Sequence, residues 1–190
     1  MKTGGGRRAT ARRVRCRRRK GEDALAHRHC VGYALAVRRR HIARAARSRL
    51  EGVDRIIHAG DWTHPDVIPL FERIAPVDSV AGNNDGPDIV RRFGRIALLE
   101  LGGRRIGLIH GDGPYASTEE RAWRAFQHND VDIIVFGHSH VPYMEERQGV
   151  VLFNPGSPTD KRFQKRYSYG ILEIRDGTFR LEHRFFDKKD

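Results

Sequence analysis

Val131-Asp-Ile-Ile-Val-Phe-Gly-His-Ser-His140 runs apolar from Ile133 to Phe136, stops at Gly137, and then presents His138 and His140 one residue apart. A run of β-branched and aromatic residues too short for a helix and closed by a glycine reads as a buried strand. Two imidazoles at the tip of such a strand suit a metal site, because neutral imidazole is the commonest metal ligand. Taken alone, residues 137–140 also fit a polar loop after a core strand.

The pattern recurs upstream. Asp54-Arg-Ile-Ile-His-Ala-Gly-Asp61 is a strand ending in Gly60-Asp61, and Val77-Asp-Ser-Val-Ala-Gly-Asn-Asn-Asp85 ends in Gly82-Asn83-Asn84-Asp85. Arg105-Ile-Gly-Leu-Ile-His110 leads into Gly111-Asp112. Each strand thus closes on a small residue and a side chain able to hold a metal. In open α/β sheets, ligands bind in the crevice beyond the carboxyl ends of the strands.

Gly60-Asp61, Gly82-Asn83-x-Asp85, His110-Gly111 and Gly137-His138-Ser139-His140, in that order, resemble the motifs of the calcineurin-like metallophosphoesterases. Asn154-Pro155-Gly156-Ser157 is similar to the small bacterial and archaeal phosphodiesterase branch. The resemblance covers about residues 50 to 187. It implies an α/β fold of two packed β-sheets flanked by helices, a four-layer sandwich. It also implies two divalent metal ions, manganese first, with zinc, iron, nickel or magnesium as alternatives. Asp61 would bridge the metals, Asn83, His110 and His138 would complete the second, and His140 would bind the first. The implied reaction is hydrolysis of a small phosphodiester by a hydroxide shared between the two metals. Asn84 stands where larger members place a histidine that protonates the leaving group, so no side-chain acid is assigned, and Asn84 is expected to touch a phosphate oxygen.

The family opens with an apolar strand ending in Asp-x-His, which supplies two further ligands to the first metal. No Asp-x-His occurs in this chain, so the first metal keeps only Asp61 and His140, and impaired activity is expected. Read one base later, the codons of Val31-Gly-Tyr-Ala34 permit Ser-Asp-Thr-His, with Asp at position 32 and His at 34. The residues just upstream become apolar in the same frame. The arginine excess fits out-of-frame translation of a GC-rich gene between about residues 20 and 50, with a genuine basic arm as the alternative.

Composition supports a division there. The 190 residues carry a net charge of +12. Residues 1–50 hold 17 Lys and Arg against Glu22 and Asp23, so the remainder is slightly acidic. Residues 1–50 are expected to be a basic, disordered or frameshifted segment, and residues 51–190 the metallophosphoesterase domain. A mildly acidic body offers nucleic acid no general footprint, which leaves only the basic segment for that role. Cys16 and Cys30 imply neither a disulfide framework nor a cysteine-ligated zinc. The longest apolar run in the basic segment, Val31 to Val37, falls far short of the ~20 residues a membrane span needs, and charged residues interrupt any secretory signal. No membrane partner is expected, the location is taken as cytoplasmic, and the oligomeric state is left open.

Along the chain, residues 1–20 read as a solvated tail, and 24–50 show a helix pattern near His41 to Leu50 but no well-formed strand. Residues 65–74 read as a helix with Pro65 at its start. Ile96 to Leu101 and Arg104 to His110 form a hairpin across Gly102-Gly103. Ser117-Thr-Glu-Glu120 resembles a capping box for a helix running to about Asn129. Four antiparallel strands follow, at 141–147, 150–154, 167–175 and 179–186. His58 is expected to fill its strand position, His64 to start a helix, Asp85 and Asp112 to hold loops or orient ligands, and Asn154 to Ser157 to turn beneath the site. Trp62, Trp123, Phe136 and Phe153 are expected in the core or in pocket walls.

Two other classes of function remain in view. A non-catalytic protein-binding scaffold is one, since a retromer subunit of this fold is similar and an incomplete first metal site suits it. A nucleic-acid-binding protein using the basic segment is the other.

Overall fold

A computed structural model describes residues 49–187 together with the backbone of two strands, Arg12–Arg15 (β1) and Arg28–Tyr33 (β2). The expectation that the rest of residues 1–50 is disordered or loosely docked lies outside the described residues.

Two sheets stand face to face. One holds six strands in the order β1-β5-β6-β7-β9-β8, where β5 is Ile96–Leu101, β6 Arg104–Ile109, β7 Ile133–Phe136, β8 Tyr143–Arg147 and β9 Val150–Asn154. The other holds five in the order β11-β10-β2-β3-β4, where β3 is Arg55–His58, β4 Val77–Ser79, β10 Tyr167–Arg175 and β11 Thr178–Phe186. Between them lies a core contributed by both: Ile57, Val80, Leu172 and Ile174 from one sheet meet Leu99, Ile106, Leu108 and Val135 from the other. The alternating burial along β5 and β10 follows from one face of each strand being turned to this core.

Helices cover the outer faces. Ile68–Glu72 (α1) and Pro87–Phe93 (α2) bury Ile68, Phe71, Ile89 and Phe93 with Trp62 and Leu50 against the five-stranded sheet. Thr118–Phe126 (α3) buries Ala122 and Phe126 against Ile134, Phe136 and Leu152 of the six-stranded one. The result is the helix, sheet, sheet, helix layering expected of the sequence. Tight turns join the hairpins: Gly102-Gly103 and Asp176-Gly177 each place two successive residues at positive φ, the geometry of a two-residue turn that matches strand twist.

Several elements differ from expectation. Arg28–Tyr33 forms a strand, parallel to β3 and antiparallel to β10, where the sequence suggested none. Without it both neighbours would present open edges in mid-sheet, and backbone pairing there outweighs weak side-chain patterning. Arg12–Arg15, read as solvated tail, pairs with β5 at a sheet edge. Strand β2 lies before residue 50 and pairs with strands beyond it, and Leu50 is fully buried. The helix expected over 65–74 splits into a 3-10 turn, Pro65–Val67, and α1, because Pro69 lacks the N–H that would continue it. Helix α3 stops at Phe126, short of Asn129, and α2, opened by Pro87, was not anticipated. No helix among the described residues is long and apolar enough to cross a membrane.

Candidate functional site

The expected site residues all follow the carboxyl ends of strands. Asp61 follows β3, Asn83 and Asn84 follow β4, His110 follows β6, and His138 and His140 follow β7. Asp61, His138 and His140 have φ of 63°, 61° and 60°. Non-glycine residues rarely adopt this left-handed conformation, and such strain gathers where surrounding structure holds a side chain for use. Gly82 permits the close approach of the two loops: a Cβ there would overlap Asp61 Oδ1 and stand 2.6 Å from the Asp61 amide nitrogen.

Four side chains meet in one hydrogen-bonded cluster. Asp61 Oδ2 lies 3.3 Å from His110 Nε2, which lies 3.2 Å from Asn83 Oδ1. Asn83 Oδ1 in turn lies 3.0 Å from His138 Nδ1. On its other edge His110 Nδ1 donates to the Ala59 carbonyl at 2.6 Å, so in the neutral ring Nε2 carries the lone pair. Asp61 Oδ2, Asn83 Oδ1 and His110 Nε2 are then three acceptors crowded together, an arrangement that needs a proton or a cation among them. A mixed oxygen and nitrogen set of this kind fits a first-row divalent metal. Among the described residues no three His, Cys, Asp or Glu side chains could hold a metal unaided; the amide oxygen of Asn83 links the two histidines.

His140 stands beside this cluster. Its Nδ1 donates to the Asp160 carbonyl at 2.7 Å, leaving Nε2 as the free ligand atom, and Asp61 acts on it electrostatically. No hydrogen bond among the described residues joins it to the other four. Asn84 donates to Asp61 from both its backbone N–H and its side-chain amide, at 3.0 and 2.8 Å, and so orients the carboxylate.

Charge follows the geometry. Burial alone would raise the Asp61 pKa, but hydrogen bonds from His110 and Asn84 overcome it and hold the carboxyl well below the usual range. Burial would lower His110, yet the Asp61 carboxylate beside it raises it. Burial lowers His138, helped by His110, and lowers His140, helped by Arg162. Both rings therefore favour the neutral, ligating form.

The supporting shell was only partly anticipated. The Asp85 carboxylate accepts from the amides of Asp61, Gly82 and Thr63 at 2.8–2.9 Å, tying two loops together. Fully buried Asn154 donates to the Gly137 carbonyl and Ser139 Oγ at 2.7 and 3.1 Å and accepts from Gly156 N–H. Ser157 Oγ accepts from Asp160 N–H, fixing the carbonyl that orients His140. Asp160 was missed; the signal was the serine three residues before it, which is suited to such a turn. His58 fills its strand position, stacked on Trp62 at 3.7 Å, and His64 Nδ1 accepts from Asp66 N–H at a helix start. Asp112 acts electrostatically on His110 and His138.

A family model for the calcineurin-like phosphoesterase superfamily domain matches residues 26–177. A probable metallophosphoesterase of Methanothermobacter thermautotrophicus is 39% identical over 115 residues, covering 58% of this chain and 63% of that protein. The chain thus spans somewhat less than two thirds of that archaeal relative. A probable metallophosphoesterase, YsnB, of Bacillus subtilis is 33% identical over 138 residues, covering 72% of this chain and 76% of its own length. Among solved structures, wild-type Vps29 of Entamoeba histolytica complexed with zinc superposes with a TM-score of 0.64 at 21% identity, over 84% of this chain and 99% of that one. At that identity the likeness concerns the fold.

Proposed function

This chain belongs to the calcineurin-like phosphoesterase superfamily, and from that premise we propose that it is a metal-dependent phosphodiesterase acting on small phosphodiesters. The observation that carries the reading is the meeting of Asp61, Asn83, His110 and His138 from four strand ends, with their acceptor atoms turned toward one another. Asp61, Asn83, His110 and His138 would hold one divalent ion, and His140 with Asp61 a second. Manganese is the first candidate, and zinc, iron, nickel or magnesium suit the same donors. When bound, such an ion supplies Lewis acidity, neutralising phosphate charge and acidifying water.

The residues of the chain do the rest. The Ala59 carbonyl fixes the His110 ring so that Nε2 faces the cleft, and the Asp160 carbonyl does the same for His140. Such outer hydrogen bonds set ring tautomer and orientation. Asn84 keeps the Asp61 carboxylate turned into the cleft and ionised. The Asp61 carboxylate favours a proton on His110, and an ion held at the same Nε2 would compete with that proton. A protein-binding scaffold on the same fold is the second reading, favoured by the position of His140 outside the hydrogen-bonded cluster.

The test is hydrolysis of bis(p-nitrophenyl) phosphate with Mn2+. A metal-dependent rate is expected, reduced at least ~100-fold by His138→Ala, since loss of merely supporting partners already costs 10–100-fold. A rate that His138→Ala leaves intact would place the chemistry elsewhere.

A further inference from the structure

Along Thr178–Phe186 the alternate positions read Phe179, Leu181 and then His183. Alternation puts the three on one face, and the first two pack against the core between the sheets. A polar ring in the third place of such a stripe calls for a partner, because desolvating it without one is costly. His183 has one: its Nε2–H donates to the Asn154 carbonyl at 2.8 Å. Its ring also stacks on Phe153, with centroids 4.5 Å apart. Gly170, paired with His183 across the ladder, leaves room for that phenyl ring, which a Cβ there would strike.

This contact crosses from one sheet to the other. His183 belongs to the five-stranded sheet, and Asn154 ends β9 of the six-stranded one. Strand β11 runs antiparallel to β10, β10 antiparallel to β2, and β2 parallel to β3. Strand β11 therefore points the same way as β3, and its carboxyl end lies on the edge where Asp61 follows β3. A second tie stands beside the first: Ser168 of β10 donates its N–H to the Ser157 carbonyl at 3.1 Å. Both ends of the turn over residues 154–157 are thus fastened to the opposite sheet.

What that turn holds is the histidine loop. The Asn154 side chain donates to the Gly137 carbonyl and to Ser139 Oγ, on either side of His138. His138 and His140 both keep a left-handed φ, a conformation that persists only where the surroundings over-determine it. A side-chain amide can impose it only as firmly as its own backbone is fixed, and the backbone carbonyl of Asn154 is the atom that His183 holds.

We propose that His183 is a positioning residue of the metal centre: its hydrogen bond across the two sheets fixes Asn154 and, through it, the loop carrying His138 and His140. The inference rests on the metal-dependent reading above and adds to it a residue from the far sheet. A histidine that only filled space would need its ring and not its N–H, so the two roles separate by substitution.

The test uses the whole chain and two variants. His183→Phe keeps a stacked ring and loses the N–H, whereas His183→Gln loses the ring and keeps an amide N–H at about the reach of Nε2. Calorimetric titration with Mn2+ is expected to show affinity reduced about tenfold in His183→Phe, the lower end of what outer hydrogen-bond partners contribute, and largely restored in His183→Gln. In the metal-free chain, hydrogen exchange at the Gly137 and Ser139 amides should quicken in His183→Phe and hold in His183→Gln. Parent-like affinity in His183→Phe, or the same loss in both variants, would overturn the role of the N–H while leaving the metal centre in place. No tight Mn2+ in the parent would overturn the metal reading and, with it, the role given to His183.

Discussion

At Gly82 the chain leaves no room for a side chain, because the Asp61 carboxylate fills the space a Cβ would take. Gly82→Ala should therefore displace Asp61 and lower metal affinity sharply while circular dichroism stays unchanged; metal titration of the variant checks it. His58 makes a different prediction. Its ring is fully buried, its Nδ1 accepts from Gly60 N–H at 3.2 Å, and its Nε2 has no partner among the described residues. Burial, with the nearby His110, pulls its pKa down to about 3. The native state then refuses a proton that the unfolded chain accepts below the ordinary histidine pKa of about 6.5. The contribution of the neutral ring is complete above about pH 6.5 and is lost as pH falls toward 3, at up to ~1.4 kcal/mol per unit. His58→Asn keeps an acceptor for Gly60 without a titrating ring. Urea unfolding from pH 7 to pH 4 should show a flatter decline in the variant, even though its stability at pH 7 is lower.

The strand ends that deliver the site were legible because each couples a β-branched run to a glycine and a polar side chain, as in Ile133 to His138. The layering was legible through the family resemblance, and the alternating burial along Tyr167–Arg175 agrees with it. What was hidden acts through the backbone. The Ala59 and Asp160 carbonyls orient His110 and His140, and no side-chain pattern announces a carbonyl. The hydrogen bonds of Asn84 to Asp61 were hidden too, being a matter of loop geometry. Strand β2 was missed because sheet position, not composition, makes it a strand. The loop after β7 depends most on Asn154, which satisfies Gly137 and Gly156 from within the core. Asn154→Ala should cost about 1–3 kcal/mol by leaving those groups unpaired, and should weaken metal binding 10–100-fold by loosening His138 and His140. Denaturant midpoints and metal titrations measure the two effects separately.

Across the whole molecule, the sheet containing β3 is continued by Arg28–Tyr33, which sets position 32 beside Ile57. This is where the shifted reading frame would place an aspartate, with a histidine at 34. A chain carrying that frame is expected to bind a second metal tightly, to hydrolyse diesters faster, and to melt higher than the printed chain. Equal rates for the two with Mn2+ would mean that the first site is not needed. On the proposed reading the chain would offer four side chains to one ion, from four strand ends in two sheets, and two to the other. We propose this cluster as a metal centre. The most direct measurement is the number of Mn2+ ions bound tightly per chain, by isothermal titration calorimetry, in the parent and in Asp61→Asn. One tight ion in the parent, lost in the variant, is the predicted result; no tight ion in the parent, or the same ion bound equally well by Asp61→Asn, would contradict the account.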